Sequence, residues 1–288
     1  MNQAAPSRAL RHTNRFATMF AAFGAVFKKN ALEYVRYPMN LFFGLVMPVI
    51  FFLPQYFLII SFAPEGVSAG LAAWVGTQDF FAYLPIGMMV AYVIMTIFWN
   101  LGFAIKRLMD IGMLETVWSC PVPRLTYIIG ESLFSMARLV VELGLVIVIY
   151  RYLYGLVVPV SILGSLWYFV PFVALMYGFG IGFAALVLLV KDANTLVDTS
   201  SFLVQGLTGT QNPPQVFPRV LLTVALAIPI THFIDILRVE TLGIEPLVEP
   251  AIEIAFFIGS AIVFPVIGVL VFNRVERRSR RLGNLHVH

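Results

Sequence analysis

The residues that could do chemistry are few, and they form no catalytic constellation. The four histidines lack the spacing to one another, or to Asp, Glu or Cys, that is typical of metal sites; they are His12, His232, His286 and His288. The sequence contains no glycine loop of the G-x-x-x-x-G-K-[ST] kind, which binds nucleotide phosphates. The single cysteine, Cys120, excludes an internal disulfide and a multi-cysteine metal site. We therefore expect neither an enzymatic site nor a bound cofactor in this chain.

The most unusual charged residues are Arg138 and Glu142, which lie with Glu131 in a largely apolar stretch over residues 126–150. Residues four positions apart lie on one helical face. Charges inside a bilayer are costly, and they usually face the protein interior in pairs. We expect the two side chains to neutralise each other or to pair with a neighbouring span. A structural lock is the favoured role, and a coupling-ion site in a gradient-driven secondary transporter or channel is the alternative.

Membrane-spanning helices are the elements that must position these residues. Of the 288 residues, 60% are hydrophobic and 12% are charged, whereas about a quarter of an ordinary soluble domain is charged. A bilayer-spanning helix needs about 20 apolar residues. Four uncharged runs are long enough, at 37–64, 80–105, 152–190 and 254–273. Two less regular stretches, 126–150 and 195–210, bring the prediction to an all-α, polytopic membrane protein with six transmembrane helices within residues 38–273.

The distribution of basic residues predicts how these spans are oriented. Most of the 19 Lys and Arg residues lie before the first span, after the second, after the fourth, or in the tail over residues 274–288. Loops rich in Lys and Arg stay in the cytoplasm. We therefore expect a multi-pass protein of the plasma or inner membrane with both termini in the cytoplasm. The basic tail then reflects topology, and we expect no nucleic-acid partner.

The N-terminal region, residues 1–37, contains an amphipathic pattern. Apolar side chains recur at three- and four-residue spacing between Phe16 and Tyr34, and cationic residues fill much of the rest. This pattern predicts a helix lying in the cytoplasmic interface of the bilayer. Two interpretations stay open: a membrane anchor only, or an anchor that also transmits force from a soluble partner.

The loop after the second predicted span is long for a simple turn. Residues 108–118 could form a short helix with Asp110 near its start, and Pro121 and Pro123 would end it. A short helix at the cytoplasmic face would suit docking. The pattern alone favours an ordinary connecting loop.

A cluster of glycines and prolines breaks the chain after residue 205. One straight spanning helix cannot contain Gly206, Gly209, Pro213, Pro214, Pro218 and Pro229. Non-helical backbone at membrane depth needs cover from protein or water. We predict a fifth span that stops short, followed by an extracellular re-entrant element over about 211–238. Thr231, His232, Asp235 and Arg238 would then lie near the outer surface. A long outer loop is the alternative.

Three motifs resemble those of the permease subunits of type-2 ABC exporters. Residues 112–130, GMLETVWSCPVPRLTYIIG, are similar to the family's G-x-L-E-x-L…P-V-x-R…G signature. Residues 208–218 resemble its S-G-x-x-x-P…P element, and residues 228–238 resemble its N-P-L-T-Y-x-x-x-x-x-R element. Ile228 replaces the usual Asn there, and His232 replaces the usual Tyr.

The resemblance implies roles for two groups of residues. Residues 108–124 would be a coupling helix that docks on a separate ATPase, with Glu115 in an ionic contact and Met113 and Leu114 in an apolar cleft. The full set of coupling residues is Gly112, Met113, Leu114, Glu115, Pro121 and Arg124. The re-entrant element would form an outer gate from Gly209, Pro213, Pro214, Pro229, Thr231, Asp235 and Arg238.

The resemblance also implies the partners and the activity. Two permease copies, identical or paralogous, would pair with two ATP-binding subunits, which would hold the ATP and Mg. The complex would export its substrate. Residues 35–48 lack the R-Y-x-x-S-x-L-G-like run of polysaccharide exporters. We therefore expect efflux of a hydrophobic or amphiphilic molecule, such as a drug or a lipid-like compound, with a lipid-linked glycan as the second choice.

Overall fold

The structure is a computed structural model, and it describes residues 15–63, 65–119, 124–153, 160–187, 189–190 and 193–281. Within these ranges the chain is helical, and it contains no β-strand. The α-helices are α1 (Arg15–Arg36), α2 (Pro38–Phe62), α3 (Ala69–Val75), α4 (Phe80–Asp110), α5 (Leu114–Ser119), α6 (Arg124–Leu153), α7 (Phe169–Val187), α8 (Ala193–Leu207), α9 (Arg219–Ala227), α10 (Pro229–Leu242) and α11 (Pro250–Arg281). Short 3₁₀ turns occupy Val160–Leu163, Leu166–Tyr168 and Pro214–Val216.

Four helices of the described chain are long and apolar enough to cross a membrane: Phe80–Leu108, Leu125–Ile149, Leu166–Val187 and Pro250–Arg278. The pair α9 and α10, bent by 90°, is apolar enough as a unit to be either a broken span or a re-entrant loop, so the described chain has four or five candidate spans. Helix α2 contains the shorter apolar stretch Phe52–Phe62. The all-helical membrane fold is therefore confirmed, and the count of six spans stays a prediction.

The helix at the centre of the molecule is α4. Every side chain from residue 82 to 94 is buried, although the helix is long enough to cross the bilayer. A helix that is apolar on all sides is normally surrounded by other helices. Accordingly, α4 packs against α6, α7, α8 and α10. It is therefore the element through which the other helices are connected.

Two glycines bring α7 and α11 into backbone contact. A Cβ atom at Gly178 would collide with the backbone of Phe264 and Pro265, and one at Gly268 would collide with the carbonyl of Gly178. Small residues allow this close approach between helices in membranes. Next to the crossing, the rings of Phe179 and Phe264 stack with centroids 4.4 Å apart. These helices consequently form one tightly packed pair.

The N-terminal helix α1 agrees closely with the amphipathic segment predicted from the sequence. It packs along α6, where Phe134 lies between Phe27 and Tyr34 at ring-centroid distances of 5.5 and 5.9 Å. Phe20 and Val35 stay exposed. Its location at a membrane surface stays a prediction.

The predicted helix over residues 108–118 is wrong at its start. Leu108 and Asp110 belong to α4, which an ion pair of 2.8 Å between Lys106 and Asp110 supports in its last turn. The chain then turns at Gly112, whose φ of +67° lies in the left-handed region. A separate short helix, α5, begins only at Leu114.

Candidate functional site

A fully buried arginine joins three parts of the fold. Arg238 of α10 is only 1% exposed. Its Nη1 donates to the hydroxyl of Tyr83 at 2.9 Å and to the carbonyl of Gly209 at 2.8 Å, and Nη2 donates to the carbonyl of Thr210 at 3.2 Å. The guanidinium also lies 3.7 Å from the centre of the Tyr83 ring. Arg238 thereby fixes α10 and the segment after α8 to the start of α4.

The close approach at Arg238 depends on a glycine in α4. A Cβ atom at Gly87 would collide with the carbonyl of Thr210 and with Nη2 of Arg238. Any larger residue would push the segment after α8 away from α4. Gly87 is therefore part of the same arrangement, although nothing in the sequence motifs pointed to it.

Replacing Gly87 with alanine should lower stability by about 2 kcal/mol, because overpacking a tight contact forces the backbone apart. The matched control is Gly144→Ala in α6, where an added Cβ meets nothing within 4 Å. That control should be neutral or slightly stabilising, because alanine is the better helix former. Thermal unfolding of both purified variants in detergent measures the difference. Equal midpoints for the two variants would contradict the packing argument.

The bend between α9 and α10 is completed by side chains. Pro229 has no N–H, so the carbonyl of Ala225 cannot receive a helical hydrogen bond from it. Thr231 Oγ1 donates to that carbonyl at 2.7 Å, and His232 Nε2 donates to the carbonyl of Leu226 at 2.8 Å. The carbonyl of Ala225 also accepts from the backbone N–H of Ile228 at 3.0 Å. The two side-chain bonds therefore add support to the carbonyls beside the 90° break.

Two polar side chains of α10, those of His232 and Asp235, have partners in the segment after α10 and in α11. Nδ1 of His232 lies 2.9 Å from Oε1 of Glu253, which is in the first turn of α11. Oδ2 of Asp235 accepts a hydrogen bond of 2.8 Å from the backbone N–H of Leu247. Because Nε2 of His232 donates to a carbonyl, the contact between Nδ1 and Glu253 needs one further proton on either partner.

We call this group of side chains the Arg238 cluster; it consists of Tyr83, Thr231, His232, Asp235, Arg238 and Glu253. The α10 members of this cluster are all buried within the protein. Their predicted location near the outer side of the membrane stays a prediction. Of the remaining gate residues, Gly209 has a φ of +77°, Pro213 is half-buried, and Pro214 is buried at the start of a 3₁₀ turn. Sequence reasoning missed Tyr83 and Glu253, because neither belongs to a motif.

The second polar site lies between α4 and α6. Nε of Arg138 is 3.0 Å from Oε1 of Glu142, and Oε2 of Glu142 accepts a hydrogen bond of 2.8 Å from the hydroxyl of Tyr92. Arg138 also lies 5.6 Å from the ring centre of Tyr34 on α1. The two charges therefore pair with each other and contact neighbouring helices as well, which covers both arrangements expected from the sequence.

These side chains border a cavity of about 680 Å³ between α1, α2, α4, α6 and α8. On its polar side, Ser135 donates to Oδ1 of Asn100 at 2.8 Å, and Arg107 pairs with Glu131 at 2.6 Å. The opposite side is apolar, and its lining includes Phe43, Met47, Ile50, Trp99, Phe103 and Phe202. We call this space the α4–α6 cavity.

The predicted coupling residues follow directly after α4. Gly112 forms the turn, and Met113 is exposed next to it. The backbone of Leu114 and Glu115 forms the first turn of α5, and Arg124 begins α6. Pro121 lies outside the described residues. The turn and α5 therefore lie at the end of α4 opposite to the Arg238 cluster.

The described part of the chain contains no group of three or more His, Cys, Asp or Glu side chains able to hold a metal ion. Residues 21–241 match the family model described as ABC-2 type transporter. No curated protein matches the chain.

Proposed function

Because the chain belongs to the ABC-2 type transporter family, whose members are membrane subunits of transporters, we propose that it is the permease of an ATP-driven exporter. The observation that carries this proposal is the segment from Gly112 to α5 at the end of α4, since the family match covers it. A separate subunit would bind ATP and Mg and would dock on this segment. The permease itself performs no chemistry.

The proposed topology follows from the sequence and the helices together. Six crossings require α2 and α8 as spans in addition to the four long helices, and α9 and α10 then form an extracellular re-entrant element. At 1.5 Å per residue, α8 is about 22 Å long, which is shorter than the roughly 30 Å hydrocarbon core. A span of that length suits a chain that turns back before it leaves the membrane. Both termini and α5 would lie in the cytoplasm, and α1 would lie along the inner surface.

Force from the motor would travel along α4. The helix runs from Tyr83 in the Arg238 cluster to Asp110 beside the coupling turn, a distance of about 40 Å. A continuous helix transmits a displacement at one end to the other. ATP binding would therefore move α5 and α4 together, and the movement would reach the outer gate. A second permease copy, identical or paralogous, would complete the path.

The test is transport by the purified permease reconstituted with its ATP-binding subunit in vesicles. We expect amphiphilic substrates to move only when ATP and Mg are present on the cytoplasmic side. The same vesicles with an ion gradient and no ATP should be inactive. Transport driven by the gradient alone would overturn the proposal in favour of a secondary transporter that uses Arg138 and Glu142 for coupling.

A further inference from the structure

In the α4–α6 cavity two arginine side chains are partly exposed, whereas the carboxylates that pair with them are largely buried. The side chain of Arg138 is 32% exposed, whereas that of its partner Glu142 is 1% exposed. At the cytoplasmic end, Arg107 is 46% exposed and its partner Glu131 is 11% exposed. A ligand in the cavity therefore meets guanidinium groups before it meets carboxylates. The accessible charge is positive although each ion pair is neutral.

The apolar side of the cavity is built for a hydrocarbon chain. Phe43, Met47 and Ile50 of α2 extend along it, and each of them is exposed. Phe202 of α8 and Trp99 of α4 continue this surface. This apolar surface lies opposite the guanidinium group of Arg138. The cavity therefore offers one place for a hydrocarbon chain and another for a polar head group. The volume of about 680 Å³ falls within the range of small-molecule sites.

We propose that the α4–α6 cavity binds an amphiphile with an anionic head group, a phosphate or a carboxylate, which is held by Arg138. A guanidinium group binds such oxyanions through two parallel hydrogen bonds. Arg138 uses Nε toward Glu142, and the exposed part of its side chain faces the cavity. Arg107 is the weaker candidate, because its Nη2 already contacts Glu131 and the carbonyl of Asn100.

The position of the cavity agrees with loading from the cytoplasmic side. Its α4 residues extend from Tyr92 to Arg107, and all but Tyr92 lie between the middle of the helix and the coupling turn. This inference rests on the proposed function in one respect, since it names the substrate class of the exporter. Binding to the cavity can be measured without ATP, so its test is separate from the test of transport.

Tryptophan fluorescence can test the site, because Trp99 lies in the cavity. The complete permease–ATPase complex is placed in phosphatidylcholine nanodiscs, and 12-bromododecyl phosphate is added as a quencher. 12-Bromododecanol serves as the uncharged analogue. We expect saturable quenching by the phosphate at concentrations where the alcohol quenches weakly, and Trp99→Phe should remove most of the difference. Equal quenching by both compounds would overturn the head-group assignment.

Substitutions at Arg138 and Glu142 distinguish the effect of charge on binding from the effect of altered packing. Arg138→Gln should weaken binding of the phosphate by about tenfold, because a charge-assisted hydrogen bond is lost. Since that variant leaves Glu142 buried and unpaired, the double variant Arg138→Gln/Glu142→Gln removes both charges and should show the same loss. Arg138→Lys should retain part of the preference. Arg151→Gln, an exposed position in the last turn of α6, is the matched control and should bind normally. Normal binding by the double variant would overturn the proposal.

Two further outcomes are informative. If neither compound quenches Trp99 saturably, the cavity is filled by the second permease copy and the proposal fails. If quenching follows the prediction but vesicles show no ATP-dependent transport, the proposed function fails while the site stands. Adding phosphatidylglycerol to the nanodiscs identifies the natural source of the ligand: competition indicates a bilayer phospholipid, and no competition indicates a single-chain amphiphile. Both results support an anionic amphiphile.

Discussion

Arg238→Met should lower the stability of the permease by about 3 kcal/mol, because the carbonyls of Gly209 and Thr210 and the hydroxyl of Tyr83 lose a buried donor. Gly209, Thr210 and Tyr83 are all buried, so water does not replace the lost donor. The midpoint of thermal unfolding in detergent should fall by on the order of 10 °C. Arg238→Lys should recover little, since one ammonium group cannot reproduce the planar fork that reaches all three acceptors.

Arg219→Met provides the control for Arg238→Met. Arg219 begins α9 and is exposed, so the substitution removes a charge of the same type without uncovering buried acceptors. Its unfolding midpoint should match that of the unmodified protein. An Arg238→Met protein with an unchanged midpoint would show that the Arg238 cluster contributes nothing to stability.

Reversing the charge at Glu115 should uncouple ATP hydrolysis from transport. The residue is in the first turn of α5, and the family resemblance gives it an ionic contact with the ATPase. In Glu115→Arg that contact becomes a repulsion, and a packed docking contact can be worth a few kcal/mol. We expect transport to fall by more than tenfold, while the permease folds normally and the ATPase subunit keeps its basal activity. Transport and ATP hydrolysis are measured in the same vesicles.

A charge reversal elsewhere distinguishes docking from a general electrostatic effect. Glu245 is exposed between α10 and α11, at the end of the molecule opposite α5. Glu245→Arg should transport normally. Normal transport by Glu115→Arg would refute the docking assignment, and equal loss in both variants would point to net charge rather than to a specific contact.

The sequence was sufficient for the long spans because their signal is compositional. Uncharged runs of 20 or more residues predicted Phe80–Leu108 and Pro250–Arg278 within a few residues. The sequence predicted the coupling segment less accurately. There the end of α4 depends on the local ion pair of Lys106 with Asp110 and on the left-handed turn at Gly112. The ion pair between Lys106 and Asp110 favours continuation of α4 to residue 110. The periodicity of apolar residues contains no information on this pair, so it did not predict where α4 ends.

For the polar sites, the sequence predicted contacts between residues close together in the chain but not contacts between distant segments. Arg138 and Glu142 were paired by their spacing, because residues four apart on a helix are neighbours. The contact between Arg238 and Tyr83 joins residues 155 positions apart, and no local pattern encodes it. The α4–α6 cavity was likewise out of reach, since five helices build it. The absence of the polysaccharide-exporter run in residues 35–48 favoured amphiphilic cargo, but only the packing brings a cation opposite an apolar wall.

The bonds that Arg238 makes to the segment after α8 have a consequence for mutational tolerance. They end on carbonyl oxygens, which every residue type carries. Side chains over residues 211–217 can therefore change without loss of the anchor, provided that the backbone path is kept. Constraint falls instead on Gly87, which has no room for a side chain, and on Gly209, whose φ of +77° favours glycine. Substitutions on this surface are therefore compatible with an unchanged attachment of the segment to Arg238.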